Sequence, residues 1–309
     1  MDHKSTPKFI SVSTQGIAIK KRSRINFLDL LNLDTHQTTA LYIFLKVTGI
    51  PFEAKPIKLI KLEQLTPEYE AINPFKKVPA IEHNGFKLTE SIAIVRYLSR
   101  EYNISQHWYP SSSKEQARVD EYLEWQHLNT RLQCASYFAV KYLNPLRTGR
   151  PSKPEQAEKY KASMLDCLSL IENTWLKDKP FLTSDKISVS DIFGVCEVEQ
   201  LRLAGYDPRE SGPVLAEWIE RVRKETNPYY DEAHKFLNIF AEQQKQASIS
   251  YSLNKTIKYG DTISLVYQEQ IIRIIQNTIL YIDICNNEHI KISEFLISSV
   301  TLETCKISF

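Results

Sequence analysis

KKVPAIEHNGFKLTESIAIVRYL, residues Lys76 to Leu98, carries four structural signals in one window. Val78-Pro79-Ala80-Ile81 predicts a short strand opened by a proline, which has no amide to give the ladder and so leaves a free edge. His83-Asn84-Gly85 predicts a turn, because asparagine and glycine tolerate positive φ, and Phe86 and Leu88 alternate on its far side as a second strand. Ile92, Val95 and Leu98, joined by Ala93 and Ile94, fall at helical spacing, so a helix begins near Glu90. Glu90 and Ser91 then occupy a first turn whose unpaired amides and dipole favour a bound anion, for instance a small carboxylate. A proline before an extended run can also be cis, which turns the preceding backbone outward to pair with an extended ligand. The plainer reading of Glu90 and Ser91 is that they only cap a helix.

KKVPAI, a turn and LTESIAI resemble the glutathione-binding segment of the glutathione transferases, and the longer match is similar to the theta class. ALYIFLKVTGIPFE and INPFKKVPA upstream, and WYP, ARVDEYLEWQH and FLTSDKISVSDI downstream, extend the resemblance over roughly Ala40 to Gln243. It implies a thioredoxin-like α/β N-terminal domain followed by an all-α helical bundle domain. The residues agree, since strand, helix, strand, then hairpin strand and helix is the thioredoxin-like order. Residues 1–24 are polar and basic without sustained periodicity and predict a poorly ordered extension. The glutathione-binding domain then spans 25–102, a linker with Pro110 and three serines spans 103–113, and the helical electrophile-binding domain spans 114–246. Residues 247–309, rich in isoleucine, serine, asparagine and lysine, are foreign to the family.

Within these limits Ile25–Leu31 predicts a first strand, Ala40–Val47 a helix, Pro51–Leu62 a second strand and Gln64–Ile72 a short helix ending before Asn73-Pro74. A long helix beginning with Val119, Tyr122, Leu123 and Trp125 is expected to run through Arg131, and a second from Glu155 to Leu176. Ser188-Val-Ser-Asp191 is a capping box with Ile187 and Ile192 as its hydrophobic staple, a structural motif rather than a catalytic one. Asp191→Ala is expected to cost roughly 1 to 2 kcal/mol.

The resemblance assigns glutathione contacts to Gln64, to the backbone pair Lys77 and Val78 before Pro79, and to Glu90 and Ser91. In the theta class a serine after the first strand hydrogen-bonds the glutathione sulfur, in a joint reading roughly DLLSQPSRA. Here the joint reads DLLNLDTHQTTA, three residues longer. Counting forward from the strand puts Asn32 at the serine position, and counting back from Ala40 puts Thr35 there. Thr35 is the better donor to a thiolate, because its hydroxyl forms a charge-assisted hydrogen bond. These residues equally suit a turn and a helix cap. Arg131 aligns with an arginine near the thiol, and Trp125, Tyr137, Phe138 and Tyr142 are available either to line an electrophile pocket or to pack the core.

The 309 residues suffice for two domains. With 39 basic against 37 acidic residues, the net charge of +2 gives no electrostatic argument for nucleic acid or an anionic membrane. Five scattered cysteines without a CxxC pair imply neither a disulfide framework nor a metal site. No apolar run reaches membrane-spanning length, and a cytoplasmic location follows as the expectation. The reading is a glutathione transferase that joins the glutathione thiolate to small hydrophobic electrophiles in detoxification, as a homodimer. The alternative is a non-catalytic binding protein of this fold that has lost thiol activation, since the altered joint is where the chemistry rests on a single group.

Overall fold

The computed structural model describes residues 25–28 and 36–243, all within the first of two compact units, 1–246 and 247–309. The expected extensions at 1–24 and 247–309 lie outside the described residues. A four-stranded sheet in the order β2-β1-β3-β4 is built from β1 (Ile25–Leu28), β2 (Phe52–Lys55), β3 (Ala80–His83) and β4 (Phe86–Thr89). β1 runs parallel to β2, with Ile25 opposite Phe52, and antiparallel to β3, with Leu28 opposite Ala80. β3 and β4 form the expected hairpin, turned by Asn84 at φ 53° and Gly85 at φ 81°.

α1 (His36–Val47) crosses between the parallel strands and so runs against β1, which puts its N-terminus at the C-terminal end of that strand. From Gln37 to Leu45 all its residues but Thr39 are buried. An all-round buried helix needs cover on both sides, and α1 finds it against α3 (Ser91–Glu101) and against α8 (Val189–Glu199).

Two expected elements are shorter than their apolar patterns. β2 stops at Lys55, because Pro56 cannot continue the ladder, and the chain coils into a 3₁₀ turn at Leu59–Lys61. In place of one helix over Gln64–Ile72 there is a 3₁₀ turn at Glu63–Leu65 and then α2 (Pro67–Glu70). Pro67 holds Thr66 in extended backbone, and the Thr66 hydroxyl caps α2 by accepting from the Tyr69 amide.

The second region is helical, with α4 (Ser113–Trp125), α5 (Thr130–Phe138), α6 (Asn144–Thr148), α7 (Pro154–Leu170), α9 (Pro213–Thr226) and α10 (Tyr229–Ala233); α4, α5 and α9 pack on α8, every residue of which is buried. The expected long helix through Arg131 is broken at residues 126–129. There Asn129 leaves helical geometry and its side-chain amide donates to the Trp125 carbonyl, ending α4. Gly194 lets α4 approach α8, since a Cβ there would lie 2.6 Å from the Tyr122 hydroxyl. The capping box at α8 is complete, with the Ser188 amide donating to Asp191 Oδ2 at 2.9 Å. Ile187 and Ile192 are both buried. Among the described residues no helix is long and apolar enough to cross a membrane, and no cluster of His, Cys, Asp and Glu is arranged to hold a metal.

Candidate functional site

Leu28, Ala80 and Thr89 form one row across the sheet. Three elements therefore meet at a single end of it: the C-terminal end of β1, the loop entering β3, and the start of α3 after β4. The hairpin register, more than any one residue, gathers them.

The β3 loop is clamped from below. The Lys77 carbonyl accepts from the Tyr69 hydroxyl at 2.7 Å and from the Asn73 side-chain amide at 2.5 Å. Asn73 is buried and also accepts from the Phe75 amide, and Lys76 turns the chain at φ 56°. Val78 and Ala80 pack with Tyr69 against Ile57, Leu59 and Ile72. The Val78-Pro79 peptide is cis. Among the described residues no hydrogen bond engages the Val78 amide or carbonyl. The first strand residue is Ala80, one later than the sequence implied, so Val78 remains outside the ladder as an edge able to pair with an extended chain.

Glu90 is the residue before α3, at φ 64° and ψ 109°, and its side chain makes no capping hydrogen bond. This rules out the plain capping reading for Glu90. A bulky residue at positive φ is strained, and such strain persists where the surroundings hold it for a purpose. The first intrahelical bond of α3 runs from the Ile94 amide to the Glu90 carbonyl, so the amides of Ser91, Ile92 and Ala93 lie ahead of it. Ser91 is buried at this N-terminus. Gln64, in the 3₁₀ turn before α2, keeps a buried Oε1 without a hydrogen-bond partner.

Val78, Pro79, Glu90 and Ser91 are thus brought together at one sheet end, with Lys77 exposed at the rim of its loop. Thr35 and its rival Asn32 lie outside the described residues. Arg131 is the second residue of α5, where its guanidinium stands 3.5 Å from His127 Nδ1, and no hydrogen bond or ion pair ties it to the sheet end among the described residues. The aromatic residues named for an electrophile pocket or the core form ring pairs: Trp125 with Tyr122 and Trp175, Tyr137 with Tyr206, and Phe138 with Tyr142. Tyr69 and Asn73, which shape the loop, were not singled out from sequence. Their role rests on side chains folding back four to eight positions onto one carbonyl, which no periodicity records.

Beside this end, α1 meets the helical region. His36 Nε2 stands 2.8 Å from Oε2 of Glu197, a buried residue of α8, at ion-pair distance but off the hydrogen-bond axis. A cavity of about 270 Å³ opens between α1, α8 and residues 232–239. Next to it Glu199, fully buried, is held by Arg209 at 2.7 Å, Arg202 at 3.0 Å and the Tyr230 hydroxyl at 2.7 Å. Burial alone would raise its carboxyl, but His234 and these arginines hold it down to about 2.

Family models agree with this arrangement. The model described as Glutathione S-transferase, N-terminal domain, matches residues 30–100, and the C-terminal domain model of the same name matches residues 127–225. Glutathione S-transferase theta-3 of Mus musculus is 40% identical over 206 residues, covering 66% of this chain and 86% of that protein. The apo form of human glutathione-S-transferase T1-1 superposes with a TM-score of 0.66 at 36% identity, over 69% of this chain and 89% of that one. Human glutathione transferase theta-2, solved in complex with glutathione and an unknown ligand, gives a TM-score of 0.66 at 33% identity over 72% of this chain and 90% of that one. The family models span both halves of the chain and the relatives share its fold over most of their own length, so the chain belongs to the glutathione S-transferase family and is theta-class-like.

Proposed function

We propose that the protein conjugates glutathione to small hydrophobic electrophiles. The observation that carries this is Val78, whose amide and carbonyl have no partner among the described residues, at the same sheet end as the strained Glu90 and the open α3 N-terminus. Its backbone would pair with the cysteinyl backbone of extended glutathione, beside Pro79. Ser91 and the α3 amides, with Glu90, would hold the γ-glutamyl end, while Gln64 and Lys77 would contact the remainder. In the reaction the thiol proton is lost to solvent, the thiolate lone pair forms the carbon–sulfur bond, and the leaving group departs with its electron pair. Thr35 would donate to the thiolate and Arg131 would add positive charge. A free thiol titrates at about 8.5, so lowering it by one or two units, about 1.4 kcal/mol each, is within reach of one charge-assisted hydrogen bond.

Detoxification in the cytoplasm by a homodimer follows from the same reading. Phe75, at 66% exposed, and Phe86, at 48% exposed, offer apolar surface to a second copy. Sedimentation at micromolar concentration is expected to give a dimer.

The deciding experiment is an ultraviolet difference titration of bound glutathione across neutral pH, on the parent protein, Thr35→Ala and Asn32→Ala. A thiol that ionises below its free value supports the reading, and loss of the shift in Thr35→Ala alone supports Thr35 as donor. Loss in Asn32→Ala alone transfers the role to Asn32. Glutathione bound with an unshifted thiol would make the protein a binding module instead.

A further inference from the structure

Glu197 lies on α8 at 1% exposure, and neither of its carboxylate oxygens accepts a hydrogen bond among the described residues. Its ionic partner there is His36, whose Nε2 stands 2.8 Å from Oε2. Burying a carboxylate is costly, and where a buried ion pair serves stability alone, a well-packed apolar side chain of similar volume does as well or better. The position of the pair supplies a use beyond packing.

His36 is the first residue of α1 and directly follows Thr35 in the chain. It starts the helix at the C-terminal end of β1, the same end of the sheet as the loop entering β3 and the start of α3. The first amides of a helix have no partner within it, so helix ends fray unless something holds them, and α1 has no acidic residue in its own first turn. Glu197 comes instead from α8, which is buried along its whole length and fixed at its start by the Ser188–Asp191 box. A carboxylate there also suits the dipole of α1. The first residue of α1 is thereby tied to a rigid element.

We propose that Glu197, acting through His36, positions the joint before α1 that activates the glutathione thiol. This role rests on the conjugation reading of the same sheet end. It is one of geometry, since displacing an activating donor by about 1 Å forfeits most of its effect. Ultraviolet titration of bound glutathione on the full chain tests it, with calorimetric affinity and the unfolding midpoint measured on the same samples. Glu197→Leu leaves no buried charge and should fold, with glutathione affinity within about twofold of the parent. Its bound thiol pKa should rise by about one unit, a tenfold change in the ionisation constant. Glu197→Gln, whose amide still meets the imidazole, should recover most of the parent titration. His36→Asn, too short to reach Glu197, should match Glu197→Leu from the α1 side, and adding His36→Leu to Glu197→Leu should raise the thiol no further, because both remove one tie. A lowered thiol pKa in the parent that persists in folded Glu197→Leu or in His36→Asn would overturn the positioning role and leave conjugation standing. A further rise in the double variant would overturn it too, because His36 would then act without Glu197. An unshifted thiol in the parent would remove conjugation itself and this role with it.

Discussion

Glu90, whose side chain makes no capping hydrogen bond, and the buried Ser91 stand at a helix start that the hairpin register delivers to the Val78 loop. Removing the Ser91 hydroxyl leaves α3 its backbone hydrogen bonds, while a bound carboxylate loses one charge-assisted partner. Ser91→Ala is therefore expected to weaken glutathione binding roughly tenfold and to leave the melting temperature almost unmoved. Calorimetry with paired thermal melts checks this, and equal losses in both would return Ser91 to a structural role. Glu199 carries the acid response at this scale. Its carboxyl is depressed from an ordinary 4.5 to about 2, so its contribution is fully present above 4.5 and is lost as pH falls toward 2. Urea unfolding is expected to find the parent more stable than Glu199→Gln at pH 6, with the gap closing by on the order of 3 kcal/mol between pH 5 and 2. A gap that does not change with pH would mean that the arginines contribute nothing through charge.

Among the elements, the start of α8 is where the structure most changes an expectation. From sequence Asp191 is one half of a capping box. In the fold it is fully buried and accepts from the Leu182 amide at 2.8 Å, the Trp218 indole at 2.9 Å and the Ser188 amide at 2.9 Å. Burial pushes its carboxyl up despite these bonds. Asp191→Ala leaves several buried donors unpaired, so the cost rises from the capping value of roughly 1 to 2 kcal/mol to about 3 to 5 kcal/mol. Chemical denaturation measures it, with the Michaelis constant for glutathione expected to stay unchanged in whatever folds. A loss near 1 kcal/mol would mean that the Leu182 and Trp218 bonds contribute little. The break between α4 and α5 belongs here as well. His127 and Leu128 sit within an unbroken run of helix-tolerant residues, and the helix ends where Asn129 leaves helical geometry and its side chain returns to the Trp125 carbonyl.

Across the whole molecule, α1 belongs to two cores at once, covered by α3 on the sheet side and by α8 on the other. The ion pair of Arg96 on α3 with Asp120 and Glu124 on α4 adds a partly exposed tie across the same boundary. The two regions should then unfold together. The four tryptophans, Trp108, Trp125, Trp175 and Trp218, all lie after residue 103, so their fluorescence reports on the helical region alone. Ile81→Ala, at a fully buried position of β3, is expected to destabilise by about 2 to 4 kcal/mol and to shift the tryptophan transition together with far-UV circular dichroism. A tryptophan transition that stays in place while the sheet melts earlier would separate the regions.

What the chain's residues determined by themselves is local. The Asn84-Gly85 turn, the β3–β4 hairpin, the start of α3 and the Ser188–Asp191 box each depend on neighbours within a few positions, where φ preference, alternation and capping act directly. What tertiary structure decided joins residues far apart in the chain. Tyr69 and Asn73 clamp the Lys77 carbonyl, Glu197 reaches His36, and Arg202, Arg209 and Tyr230 converge on Glu199. The cavity bounded by α1, α8 and residues 232–239 has no contiguous stretch of sequence to announce it. Hydrogen bonds and packing between distant segments form only once backbone geometry has brought them together, so the glutathione-binding segment was readable from Lys76 to Leu98 while the surroundings that hold it were not.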